Sequence, residues 1–143
     1  MNFDHDDVSH MGFFSWVVPE NSLTGDEMFA HLYGFTVEQV IRGVTVEEIM
    51  ARIIPGDRER VAFECHSSIL TGAAGLTTFT VFDGTRYRHI ASIGRCLKDI
   101  DGVPSFYTGA VFERSRRVPA SDNVSMGNVL SFRPGSRQGE PAR

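Results

Sequence analysis

Residues 54–61, Ile54-Pro55-Gly56-Asp57-Arg58-Glu59-Arg60-Val61, and residues 98–113, KDIDGVPSFYTGAVFE, decide the fold of this chain. The first stretch opens a long helix over residues 57–70, with Asp57 expected as its cap or first-turn acid, where the helix dipole favours a carboxylate. On a wheel of roughly 100° per residue, Val61, Ala62, Cys65 and Ile69 share one apolar arc, while Glu59, Glu64 and Ser67 lie away from it. Thr71-Gly72 ends that helix. Beyond it the pattern changes period: Phe79 and Val81 alternate with Thr78 and Thr80, and Ile90, Ser92 and Gly94 alternate with His89, Ala91 and Ile93. Strands are predicted over residues 76–82, 87–98 and 104–113. Asp83-Gly84 and Asp101-Gly102 between them read as short hairpin turns that supply positive φ, so the C-terminal half is an antiparallel meander.

Upstream, GFFSWVV at residues 12–18 is an aromatic and β-branched run closed by Pro19, and residues 21–24 form a brief second strand. Gly25-Asp26 turns the chain and caps a helix from Glu27, in which Met28, Phe29, Leu32 and Tyr33 recur at helical spacing before Gly34 stops it. Residues 36–42 and 45–52 are two more short helices, the second with Thr45 and Glu48 at capping-box spacing. Two strands, helices, then three strands give an α+β architecture: one five-stranded antiparallel sheet with helices over its apolar face.

Composition bounds the rest. With 143 residues and 41% apolar content, one core is expected, at residues 12–113. No run approaches the ~18 to 20 apolar residues that span a bilayer, and the acidic start does not resemble a secretory signal, so a soluble cytoplasmic protein is the expectation. Cys65 and Cys96 form neither a disulfide framework nor a zinc motif and read as reduced thiols. Residues 1–11 carry three Asp and no Lys or Arg, residues 12–113 eight basic against thirteen acidic groups, and residues 114–143 six Arg against Asp122 and Glu140. That last segment is Arg-, Ser-, Gly- and Pro-rich, and disorder is predicted for it.

The order of these signals carries a resemblance. A strand with Trp16, a helix ending Leu32-Tyr33-Gly34-Phe35, the clause Ile54-Pro55-Gly56-Asp57-Arg58 before a long helix, then Lys98-Asp99-Ile100-Asp101-Gly102-Val103-Pro104 and a last strand with Gly109 together resemble a PAS (Per-Arnt-Sim) domain. The likeness is to the subclass whose helix is announced by His-Pro-Asp-Asp-Arg; Ile54 and Gly56 depart from that clause. The resemblance implies strand order 2-1-5-4-3, a cavity between sheet and helices, and signalling through homodimers or a partner such as a histidine kinase or regulator. It also implies a non-catalytic role, with which the absence of a nucleophile elbow or a phosphate-binding glycine motif agrees.

Family members hold haem, flavin, small carboxylates or nothing. Haem-binding members take an axial His from the long helix, which singles out His66; the wheel puts it on the flank of the apolar arc, where a solvated imidazole is expected instead. A photosensory flavin needs a reactive Cys in an Asn-Cys-Arg-Phe-Leu-Gln clause, where this chain has Gly56-Asp57-Arg58-Glu59-Arg60. A small-molecule cavity would be lined by Phe29, Leu32, Ile49, Val61, Cys65, Ile69, Phe79, Ile90, Ser92 and Tyr107; the competing expectation is that these side chains fill the middle. Tyr87, His89, Phe106 and Phe112 are candidate dimer or partner contacts on the far side of the sheet. Asp4, His5, Asp6, Asp7 and His10 are of metal-ligand type but read as a solvated flank, and the Arg-rich tail reads as linker in preference to a nucleic-acid footprint.

Overall fold

Small side chains that cap helix starts set the helical half. The computed structural model describes residues 10–114. Strands β1 (Gly12–Val17) and β2 (Ser22–Gly25) are followed by helices α1 (Glu27–Tyr33), α2 (Val37–Arg42), α3 (Val46–Arg52) and α4 (Pro55–Thr71). Strands β3 (Gly75–Phe82), β4 (Tyr87–Lys98) and β5 (Pro104–Glu113) complete the order. The Asp26 carboxylate accepts from the Phe29 amide at 2.9 Å, and Gly34, in the left-handed region, closes α1. Thr36 with Gln39 and Thr45 with Glu48 form reciprocal capping boxes on α2 and α3.

Helix α4 starts differently from the expectation. Its N-cap is Ile54, without a side-chain cap, and Pro55 occupies the first turn, where a fixed φ and a missing N–H cost nothing. Asp57 is therefore not the cap but the first-turn acid, the other role expected of it. Its carboxylate accepts from the Thr80 amide of β3 at 2.9 Å and pairs with Arg60 at 3.5 Å. Around it, the Ile54 amide donates to the Thr80 carbonyl at 2.9 Å, Arg60 donates to the Thr78 carbonyl at 2.7 Å, and Ile53 bridges Val81. The start of α4 thus occupies backbone groups on one outer edge of the sheet. On the other edge Leu23 of β2 pairs with Val44 at 2.7 and 2.8 Å, so both edges are partly closed to strand addition.

The five strands pair antiparallel in the order β2-β1-β5-β4-β3, as the resemblance implied. The hairpin connections are the ones that the expected strand bounds leave. Residues 83–86 and 99–103 intervene, and within each only the glycine, Gly84 or Gly102, has positive φ. Asp83 and Asp99 instead organise the loops by accepting backbone amides: Thr85 and Arg86 at 2.9 Å in one, Asp101 and Val103 at 2.9 Å in the other.

The core lies between the inner sheet face and α1 to α3, where Phe29, Leu32, Val40, Ile53, Val81, Ile90 and Val111 are almost wholly buried. At its end sits a buried cation: Arg88 reaches Asp83 at 2.7 Å and Glu113 at 3.0 Å, joining the β3–β4 loop to the last residue of β5. A charge taken from water this far needs such pairing. Register puts Tyr87, His89, Phe106 and Phe112 on the opposite, outer face, opposite Phe82, Thr80, Leu97 and Ala91 respectively. Tyr87 and His89 are exposed there, and Phe106 and Phe112 are half-buried.

Two predictions follow from these ties. Asp57→Ala removes a charged acceptor from the Thr80 amide and should lower unfolding free energy by about 1.5 kcal/mol in denaturant titration; an unchanged midpoint would mean the edge contact contributes nothing. Burial pushes the Asp83 carboxyl up, but hydrogen bonds from the Arg86 and Thr85 amides, the Arg88 guanidinium and the Thr85 hydroxyl outweigh it and hold it well below the usual carboxylate range. Its stabilising contribution is therefore complete above the unfolded-state value of about 4 and drains away as pH falls below it toward the lower folded value. Asp83→Asn should flatten the acid limb of a stability-against-pH curve, and identical limbs in both proteins would refute the assignment.

Candidate ligand cavity between the long helix and the sheet

Register aligns glycines across the sheet. Gly25 of β2 lies opposite Phe14 of β1, Phe14 opposite Gly109 of β5, Gly109 opposite Gly94 of β4, and Gly94 opposite Gly75 of β3. In this row across five strands Phe14 has the only side chain. A Cβ at Gly94 would collide with the Tyr107 ring, one at Gly109 with the Ile93 carbonyl, and one at Gly25 would stand 2.8 Å from the Phe29 ring. At Gly75 it would stand 3.1 Å from the Ser68 oxygen of α4. The row is a trough into which aromatic rings and the long helix descend.

Above the trough, α4 carries small inward side chains. Val61 and Ser68 are buried and Cys65 half-buried, whereas Ala62 is exposed and Ile69 half-buried. The buried stripe is therefore rotated from the expected arc toward Ser68, a polar residue that a hydrophobicity wheel discounts. Small residues facing glycines leave space: a cavity of about 570 Å³ lies between α4 and the sheet. The middle of the domain is not filled by its large side chains.

Of the residues expected on its wall, Phe29, Ile49, Val61, Cys65, Ile69, Phe79, Ser92 and Tyr107 line the cavity. Leu32 and Ile90 do not. Leu32 is buried in the core cluster, and Ile90 of β4, opposite Phe79, is fully buried at the Arg88 end of the sheet. Among the lining residues missing from the expected wall are Phe14, Trp16, Ser68 and Thr77. Alternation along β1 carries a signal for the first two, while Ser68 and Thr77 have only their register.

The polar groups of the wall are few. The Tyr107 phenol hydrogen-bonds the Ser68 hydroxyl, which donates to the Ala73 carbonyl at 2.9 Å. Burial pushes the Tyr107 phenol and the Cys65 thiol up, so both stay protonated at neutral pH. The Trp16 indole N–H donates to the Asn21 side-chain carbonyl at 3.0 Å, which also accepts from the Val46 amide at 3.0 Å. Asn21, at φ 51°, is the single non-glycine residue with positive φ among the described residues, and it ties β1 to the start of α3 at that end of the cavity.

His66 touches the cavity lining, yet it is exposed on α4, roughly 100° around the helix from Cys65. No group of three or more metal-ligating side chains occurs among the described residues. Asp4, His5, Asp6 and Asp7 lie outside those residues, as do Arg116 and the rest of the tail, and no described helix is long and apolar enough to cross a membrane.

No family model and no curated protein matches the sequence. Solved structures do match the fold. The N-terminal domain of a diguanylate cyclase with PAS/PAC sensor from Marinobacter aquaeolei superposes with a TM-score of 0.65 at 16% identity, over 72% of this chain and 94% of that one. The fold is that of a PAS domain. A sensory box histidine kinase/response regulator from Burkholderia thailandensis gives a TM-score of 0.67 at 18% identity, over 86% and 91% of the two chains. A PAS domain from Colwellia psychrerythraea gives 0.58 at 20% identity, over 76% and 89%. At these identities the PAS likeness is one of architecture.

Because the Tyr107 ring rests where a Gly94 Cβ would stand, Gly94→Ala should cost about 2 kcal/mol of stability through overpacking. Differential scanning calorimetry checks it; a variant as stable as the parent would show that the ring is free to move aside.

Proposed function

We propose that this PAS domain is a non-catalytic sensory and protein-interaction module in signal transduction, which holds a small molecule in its cavity and acts by association with a partner or by dimerisation. The observation that carries the reading is that β4 and β5 serve two faces at once. Their inner residues Ser92 and Tyr107 line the cavity. Their outer residues belong to an apolar surface with Phe13, Leu76, Tyr87 and Leu97 exposed by 48% or more. Exposed apolar area of that kind marks contact surfaces. With both sheet edges partly occupied, a partner meets the flat outer face and not an open strand.

Occupancy of the cavity shifts α4 against the glycine trough, and the strands carry the change to their outer side. A signalling protein such as a histidine kinase or regulator fits this role, as does a second copy of the chain. The family habit of sensing without catalysis supports the same reading. His66 touches the cavity lining, but its exposure on α4 favours a solvated imidazole over a haem ligand.

Sedimentation of the full chain across a concentration series tests the output surface. Tyr87→Glu combined with Phe106→Glu should abolish self-association, or the capture of a kinase or regulator, while leaving the circular dichroism spectrum intact. Association that survives both charges would place the contact elsewhere.

A further inference from the structure

The chemistry of the cavity wall goes beyond its existence. We infer that the cavity selects an uncharged, ring-bearing molecule with neutral hydrogen-bonding groups and rejects carboxylates and phosphates. The inference rests on the ligand-binding reading above and narrows it to a class.

Charge is the first argument. Among the described residues no Lys or Arg lines the cavity. Three guanidinium groups contact wall residues and are engaged: Arg60 by Glu64 at 3.2 Å, Asp57 at 3.5 Å and the Thr78 carbonyl at 2.7 Å, Arg52 by the Tyr33 and Gly34 carbonyls, and Arg58 by the Ile53 and Ala51 carbonyls. Glu64 itself lines the cavity and takes the Thr77 hydroxyl as a further partner. Among the described lining residues His66 alone has a side chain able to become a cation, and it is exposed. An anion entering here gives up its hydration, meets no free counter-charge and approaches a carboxylate; that combination is unfavourable in a partly desolvated site.

Shape and hydrogen bonding are the second. Phe14, Trp16, Phe29, Phe79 and Tyr107 supply aromatic walls, and the volume of about 570 Å³ falls in the range of small-molecule sites. The remaining polar groups are neutral and mostly spoken for: Ser68 by Ala73 and Tyr107, Thr77 by Glu64, the Trp16 indole by Asn21. Ser92, Tyr33 and Ser67 are different. Ser92 stands on β4 between Thr77 and Val111 on the inner face, Tyr33 is buried on α1 and Ser67 is on α4; all three line the cavity, and no described group hydrogen-bonds their side-chain hydroxyls. Their hydroxyls are the groups a ligand would meet. Exposed Phe63 on the lining extends the apolar surface toward the mouth.

The test uses two fluorophores of one skeleton, neutral phenylnaphthylamine and the anion anilinonaphthalene sulfonate, titrated into the full chain. Trp16 is the single tryptophan and lines the cavity, so energy transfer from it reports binding near the cavity. Ser92→Leu, which places a larger side chain on the floor, should abolish the transfer and so locate it. The neutral probe should bind about tenfold tighter than the sulfonate at low salt, and Glu64→Lys should close most of that gap. Glu64→Gln gives a smaller change of the same sign should the lysine variant fold poorly. Equal or tighter sulfonate binding that Ser92→Leu abolishes would overturn the charge selection while leaving a ligand cavity standing. Transfer to neither probe, or transfer unaffected by Ser92→Leu, would overturn both.

Discussion

The close approach of side chains to the glycine row is the constraint on which the rest of the structure depends. Gly75, Gly94 and Gly109 stand side by side on three neighbouring strands, and none has a Cβ to hold its neighbours away. Tyr107 uses the space to lie over Gly94 and bring its phenol to Ser68 on the long helix. Glycine in a strand costs stability relative to a residue that packs. Here that cost is offset by the aromatic packing of Phe14 against Tyr107, with ring centroids 6.2 Å apart, and of Phe14 against Phe29 at 5.5 Å. The same missing side chains, facing Cys65 and Ser68, leave the cavity open.

Around this trough the domain divides its labour. The β3 half and α1 to α3 provide the filled core, in which Phe29, Tyr33 and Phe79 pack ring against ring, with Arg52 over the Phe35 ring at 4.2 Å. The buried Arg88 cluster fixes the exit of β5, through Glu113, to the β3–β4 loop. The first turn of α4 is bound to β3 through Ile54, Asp57 and Arg60. Farther along α4, Ser68 donates to the Ala73 carbonyl at 2.9 Å and lies against Gly75, and Lys98 donates to the Leu70 carbonyl at 3.5 Å.

Much of the architecture is legible in the residues, because capping and periodicity are local. Asp26, Thr36 and Thr45 start helices by bonds three residues away, and the alternation of β4 assigns its two faces without reference to any other strand. The glycine row is not legible in this way. Gly94 and Gly109 are visible as residues, but their alignment with Gly75 and Gly25 follows only from register, which is set by the hairpins and the β1–β5 pairing far apart in sequence. The rotation of the α4 stripe has the same origin: opposite glycines, a buried serine is better accommodated than a larger apolar residue. Of the two expectations for Asp57, cap or first-turn acid, the second holds, and its tie to the Thr80 amide is not legible because that partner lies 23 residues away. Leu32 and Ile90 were placed on the cavity because apolar character alone does not separate a filled core from a wall.

The account stands on the space between α4 and the glycine trough. A crystal structure under xenon pressure tests it directly, because xenon enters apolar cavities that are present in the resting protein. Xenon density between Cys65 and the Gly75, Gly94 and Gly109 row, with the helix in place, is the predicted result. A helix settled onto the glycines, with Cys65 and Ser68 in van der Waals contact with the strands and no gas bound, would contradict it.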